Sequence, residues 1–211
     1  MNRTHRMLVI TAITLGSALA VVDSHASLNP TELATEIDNE RDHISALDLG
    51  DRIMRAEPSL YIFDLRTSAE FQQFHIPSAR QTSIEALMHL QLPREATVVV
   101  YSEGGAHAAQ AWVLLRMRGI RNVLFLREGI YEWVSRVFEP RLATDATTQE
   151  RAEFEHAAAL SRFLGGSPQA NVPRAEVPAG YWTGAGMDNG QSVPNQSTTP
   201  NRTVKIRRRG C

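Results

Sequence analysis

Thr97-Val98-Val99-Val100-Tyr101-Ser102-Glu103-Gly104-Gly105-Ala106-His107 decides the fold of this 211-residue chain. Residues 97–101 are β-branched or aromatic and apolar without interruption, which reads as a strand buried on both faces at the centre of a sheet. The next five residues form a glycine-containing turn. A helix follows it, with Ala109, Trp112, Val113 and Arg116 at i, i+3, i+4 and i+7, closed by Gly119.

The same alternation runs outward on both sides. Leu60 to Phe63 is a second continuous apolar run, and Asn122 to Leu126 is a third. Before the first of these, Asp48 is read as the cap of a helix through Leu49, Ile53 and Met54. Thr67-Ser68-Ala69-Glu70 is a capping box that opens a short helix carrying Phe71 and Phe74 inward, and Ser83 caps a helix through Ile84, Leu87, Met88 and Leu90. Glu128-Gly129 turns into a helix holding Ile130, Trp133, Val134 and Val137. Strands alternating with helices predict one α/β domain, a central, mostly parallel sheet of about five strands with helices on both faces. Trp112 and Trp133 are expected in its core.

The flanks read differently. Arg3 and Arg6, the apolar run Met7 to Val22 and the small residues of Ser24-His25-Ala26 form an export signal over residues 1–26. The run is short for a span of roughly 20 apolar residues, so no stable membrane span is expected in the mature chain, which would be periplasmic or extracellular. Residues 27–45 form a helical arm that starts at Asn29-Pro30 and carries Leu33, Ile37 and Ile44 as an apolar stripe. The main domain covers 46–139. Residues 140–166 add a helix opened by the capping box Thr147 to Glu150, with Phe154, Ala158, Ser161 and Phe163 along it. From Ser167 to Cys211 the composition becomes Gly, Pro, Ser, Asn, Gln and Thr, a disordered tail with a net charge of +4. Tyr181-Trp182 within it is a candidate short docking motif.

Composition narrows the chemistry. The formal net charge is −1, which excludes an overall electrostatic nucleic-acid binder. The single cysteine, Cys211, excludes an intrachain disulfide and a cysteine-held zinc or iron–sulfur centre. Seven histidines are scattered without metal-ligand spacing, so no metal and no cofactor are expected.

Five stretches in order resemble the rhodanese family. Asp64-Leu65-Arg66 resembles its D-x-R. Glu70-Phe71 with His75-Ile76-Pro77-Ser78-Ala79 resembles its E-F…H-I-P-G-A. Val98 to Tyr101 leads into the loop that holds the family's active site. Ala109 to Gly119 followed by Val123, and Leu126-Arg127-Glu128-Gly129 with Trp133, resemble its last two motifs. The resemblance covers Ala46 to Arg136 and implies a sulfurtransferase loop, C-x-x-x-x-R, whose cysteine becomes a persulfide. It also implies a fold shared with the dual-specificity phosphatases of the cell cycle.

This chain departs from that loop at both functional positions. Ser102 stands at the cysteine and His107 at the arginine. A hydroxyl forms no persulfide, and as a nucleophile it needs a close base. The resemblance therefore implies a homologue inactive at Ser102. Its cradle of Glu103, Gly104, Gly105, Ala106 and His107, with Arg66 from the neighbouring strand end, is the candidate site for a small oxyanion or sulfur-donor ligand, or for a protein partner. Arg66 has Asp64 and Glu70 as alternative ion-pair partners, and His75 is expected to bond the backbone. The alternative catalytic residue is Cys211, whose thiol lies beside Arg207, Arg208 and Arg209 and would make the chain a sulfurtransferase or sulfur carrier. The basic tail is also the expected contact for a protein partner.

Overall fold

The computed structural model describes residues 29–177. The expected export signal, Tyr181-Trp182 and Cys211 lie outside them. In chain order the elements are α1 (Pro30–Asp38), β1 (His43–Ile44), α2 (Ala46–Met54), β2 (Leu60–Asp64), α3 (Ser68–Gln73), β3 (Ala79–Gln81), α4 (Ile84–His89) and β4 (Thr97–Tyr101). There follow α5 (Ala106–Met117), β5 (Val123–Leu126), α6 (Gly129–Trp133) continued by a π-type turn Val134–Phe138, β6 (Arg141–Ala143), α7 (Thr148–Phe163) and β7 (Gln169–Val172).

The central sheet has five strands in the order β1-β5-β4-β2-β3, and all four pairings are parallel. β4 is the middle strand, as its composition predicts. Its side chains alternate between two cores. Val98 and Val100 enter one with Phe63, Leu87, Trp112 and Leu115, under α4 and α5. Val99 and Tyr101 enter the other with Ile62, Leu49, Leu126, Trp133 and Leu160, under α2, α6 and α7. Two covered faces explain why the strands show no polar alternation. Trp112 and Trp133 are both fully buried.

Both capping boxes form. Thr67 and Glu70 exchange side-chain-to-backbone bonds at α3, and Thr147 and Glu150 do so at α7. Asn29 caps α1 with Pro30 at the first helical position. The helix at 46 is capped by Ser45, whose Oγ accepts from Asp48 N–H, and not by Asp48 itself. Serine at this spacing leaves the Asp48 carboxylate inside the first turn, where the helix dipole favours it.

Four further expectations are corrected. Ile44 belongs to no helix: it lies in edge strand β1, paired with Leu126, so the sheet begins inside the supposed 27–45 arm. Phe163 is 61% exposed. It lies nine residues after Phe154, a rotation of about 180° on an α-helix, which puts it on the opposite face. β3, β6 and β7 are three or four residues long and gave no sequence pattern. Finally, disorder does not begin at Ser167. β7 pairs in parallel with β6, Arg174 bonds both Asp145 and Glu150, and Val177 is buried against Leu142, Phe154 and Ala158. These contacts anchor 167–177; the rest of the expected tail lies outside the described residues.

No helix among the described residues is long and apolar enough to cross a membrane.

Candidate functional site: the turn after the central strand

In a parallel sheet all strands end on the same edge, and the loops there come from different strands. Asp64, Tyr101 and Leu126 end β2, β4 and β5 side by side on that edge. The D-x-R pair stiffens it. Asp64, fully buried, accepts from Arg66 N–H (2.9 Å), Nε (3.0 Å) and Nη2 (2.6 Å). Arg66 Nη2 also donates to the Phe74 carbonyl at 2.7 Å. The guanidinium carbon lies 5.5 Å from the centre of the Tyr101 ring. Burial alone would lower the Arg66 pKa, but its bond and charge pairing with Asp64 outweigh that and raise it. Burial, and then the Asp64 carboxylate beside it, push the Tyr101 phenol well above its ordinary value. Tyr101 Oη in turn accepts from Ile76 N–H at 3.2 Å, tying the H-I-P segment to the central strand. Arg66 thus shares the candidate edge, paired with Asp64 of the two partners available to it, and its side chain is only 8% exposed.

Ser102 follows directly. It is 3% exposed, and its Oγ accepts from Gly105 N–H at 3.1 Å. That bond closes the turn as a serine turn does. Among the described residues no histidine or carboxylate bonds Ser102 Oγ. The Ser102 carbonyl accepts from Ile130 N–H at 3.0 Å, so the turn is stitched to the start of α6. The close fit depends on two glycines. Gly105 has φ +88°, and a Cβ there would lie 2.2 Å from the Arg127 carbonyl oxygen. Gly129 has φ +58°, and its Cβ would lie 2.2 Å from the Ser102 carbonyl oxygen. No other residue fits either place.

Gly105 is also the residue before α5, and no side chain caps that helix. The N–H groups of Ala106, His107 and Ala108 have no carbonyl partner inside the helix, and twelve residues of aligned peptides put positive potential there. Glu103, Gly104, Ala106 and His107 are exposed around this point. Glu103 accepts a hydrogen bond from the Tyr131 hydroxyl, and the Tyr131 ring lies over Gly104 at 3.9 Å from where a Cβ would be. That bond, more than burial, raises the Tyr131 phenol pKa. Tyr131 is the residue sequence reasoning missed: it is exposed and lies on a short helix with no motif of its own. His75 Nδ1 bonds the Phe71 carbonyl at 2.9 Å and its ring stacks on Phe71, a backbone role as expected.

The rhodanese-like domain profile matches residues 45–136. A sulfurtransferase of Allochromatium vinosum is 36% identical over 107 residues, 48% of this chain and 89% of that protein. This chain belongs to the rhodanese-like domain family. Two solved structures are similar to it as well. The Alr3790 protein from Anabaena sp. is 30% identical over 43% of this chain and 74% of that one, with a TM-score of 0.40. A rhodanese-related protein from Thermoplasma volcanium is 23% identical over 44% of this chain and 89% of that one, with a TM-score of 0.38. The rhodanese-like match ends at 136, so α7, β6 and β7 lie outside it.

Proposed function

We propose that this protein is an exported rhodanese-like binding module that holds a small oxyanion at the Ser102 turn without transferring sulfur there. One observation carries the reading. The position at the mouth of the central strand holds a hydroxyl whose partner is the Gly105 N–H and not a base. A thiolate in that place would gain from the helix dipole and the turn amides. A serine hydroxyl, with a pKa far above neutrality, gains nothing comparable and forms no sulfur–sulfur bond. The N–H groups at the start of α5 keep their use, since they bind charge irrespective of the residue at 102. Sulfate, thiosulfate and phosphate all present the oxygen atoms such amides take. Ala106 and His107 supply those donors, Gly104 and Gly105 allow the backbone to approach, and Glu103 opposes the ligand by its charge.

The test is amide NMR on the full chain during addition of sulfate, thiosulfate and phosphate. Saturable shifts of the Gly105, Ala106 and His107 amides support the reading. No shift of these amides at millimolar ligand discards it. The same samples, assayed for thiocyanate formation from thiosulfate and cyanide, separate it from a sulfur carrier that uses Cys211. Turnover present in wild type and lost in Cys211→Ser would replace the present reading by that one.

A further inference from the structure

A groove of about 520 Å³ lies at the open edge of the sheet, beside β1 and α2, and none of residues 102–107 lines it. Four arginines do: Arg41, Arg52, Arg55 and Arg127. Arg52 has one long contact, 3.4 Å, to Glu57. Arg41, Arg55 and Arg127 are exposed and have no ion pair within 4 Å among the described residues, although the Glu132 carboxylate feels the Arg127 charge. The acids nearby are fewer, and two of them also have a local hydrogen bond. Asp48 accepts from Ser45 Oγ at 2.7 Å, and Asp42 holds His43 Nδ1 at 2.7 Å. The lining thus sets four arginines against two carboxylates, Glu40 and Asp48, and carries a surplus of positive charge.

His43 adds a directional group. His43, Ile44 and Ser45 all line the groove, and Ile44 also packs into the core. Its Nδ1 is taken by Asp42 and its ring rests against Phe125 with centroids 5.6 Å apart. The imidazole is therefore fixed in orientation, with Nε2 left for a ligand, a common arrangement for an oriented histidine. Four arginines around one cavity, only partly offset by two carboxylates, repel one another. A multiply charged oxyanion relieves that repulsion, and the planar guanidinium geometry suits its oxygens. The volume is that of a small-molecule cleft and not of an extended track.

We propose that this groove is a second site, separate from the Ser102 turn, that takes a small multiply charged oxyanion of the phosphate class between Arg41, Arg52, Arg55 and Arg127, with His43 as a directional partner. The experiment is NMR of the full chain at low ionic strength, reading the His43 ring and the arginine side chains. Inorganic phosphate and pyrophosphate are the probes, with a hexaglutamate peptide as comparison.

The expected result is a saturable shift at His43, with pyrophosphate bound more tightly than phosphate. Arg41→Gln/Arg127→Gln should weaken pyrophosphate binding, read at the His43 ring, at least ten-fold. Arg55→Gln, a single exposed change, should weaken it a few-fold and serves where the double variant does not fold. Shifts confined to the Gly105–His107 amides or to the tail would overturn the proposal. So would unchanged binding in both arginine variants, or a peptide bound more tightly than pyrophosphate. Failure at His43 with shifts retained at the Ser102 turn would sink this site and leave the proposed function standing.

Discussion

Tyr131, from the helix behind β5, donates its hydroxyl hydrogen to the Glu103 carboxylate, one residue beyond Ser102. The bond pins a negative charge beside the N–H groups that an oxyanion would use. A full charge about 5 Å from a dianion in a water-like medium, roughly halved by physiological salt, is worth about 0.8 kcal/mol. Glu103→Gln should therefore tighten sulfate or thiosulfate binding at the turn about four-fold, measured by calorimetry. The same variant should return the Tyr131 phenol towards its ordinary pKa in an ultraviolet titration. Unchanged affinity would mean that Glu103 lies too far from the ligand to matter.

The turn itself should tolerate no Cβ at Gly105. Gly105→Ala combines a left-handed φ with a 2.2 Å approach to the Arg127 carbonyl. A loss of about 2–4 kcal/mol in urea unfolding is expected. Gly104→Ala, with no contact closer than 3.9 Å, should cost far less. Equal losses at the two positions would contradict the fit described.

The Asp64–Arg66 pair is the support beneath the site. Asp64→Ala leaves Arg66, 8% exposed, without its carboxylate. Removing one member of a buried pair costs about 3–5 kcal/mol. The double change Asp64→Leu/Arg66→Met should cost less than Asp64→Ala alone, because it leaves no buried charge unpaired. Urea unfolding of the three proteins orders them.

Two glutamates set opposite pH dependences. The bonds from Arg174 and then from the Thr147 backbone hold Glu150 down to about 2, against 4.5 unfolded. Its contribution is present above pH 4.5 and fades as pH falls towards 2. Glu132 is pushed up by burial, with Oε2 lacking a partner among the described groups. Its folded form prefers the proton, so its contribution is full below its unfolded value and is lost as pH rises through its folded one. Glu132→Gln keeps an acceptor for Ala46 N–H and should flatten the decline above pH 4.5. Arg174→Ala should lower stability at neutral pH and make the loss below pH 4.5 shallower, because Glu150 then titrates closer to its unfolded value. Thermal unfolding between pH 2 and 8 reads both.

The central strands were legible because burial on two faces leaves a plain composition signal, as in Val98, Val99 and Val100. Capping boxes at Thr67 and Thr147 were legible because their chemistry is local. β1, β3, β6 and β7 were not, because strands of two to four residues owe their existence to a neighbour far along the chain, as Ile44 does to Leu126. At the site, Ser102 and the glycine turn could be read directly. The Arg66–Asp64 pairing was one of two open choices, since sequence spacing does not fix where a long side chain folds back. Tyr131 stayed hidden because its partner Glu103 lies 28 residues away. The arginine groove was hidden for the same reason: its lining comes from β1, α2 and the end of β5.

Everything functional rests on the difference between oxygen and sulfur at position 102. The direct measurement is thiocyanate formation from thiosulfate and cyanide by wild type, Ser102→Cys and Cys211→Ser. No turnover by wild type, and its appearance in Ser102→Cys, is the predicted result. An ordinary sulfur-transfer rate in wild type that persists in Cys211→Ser would contradict it.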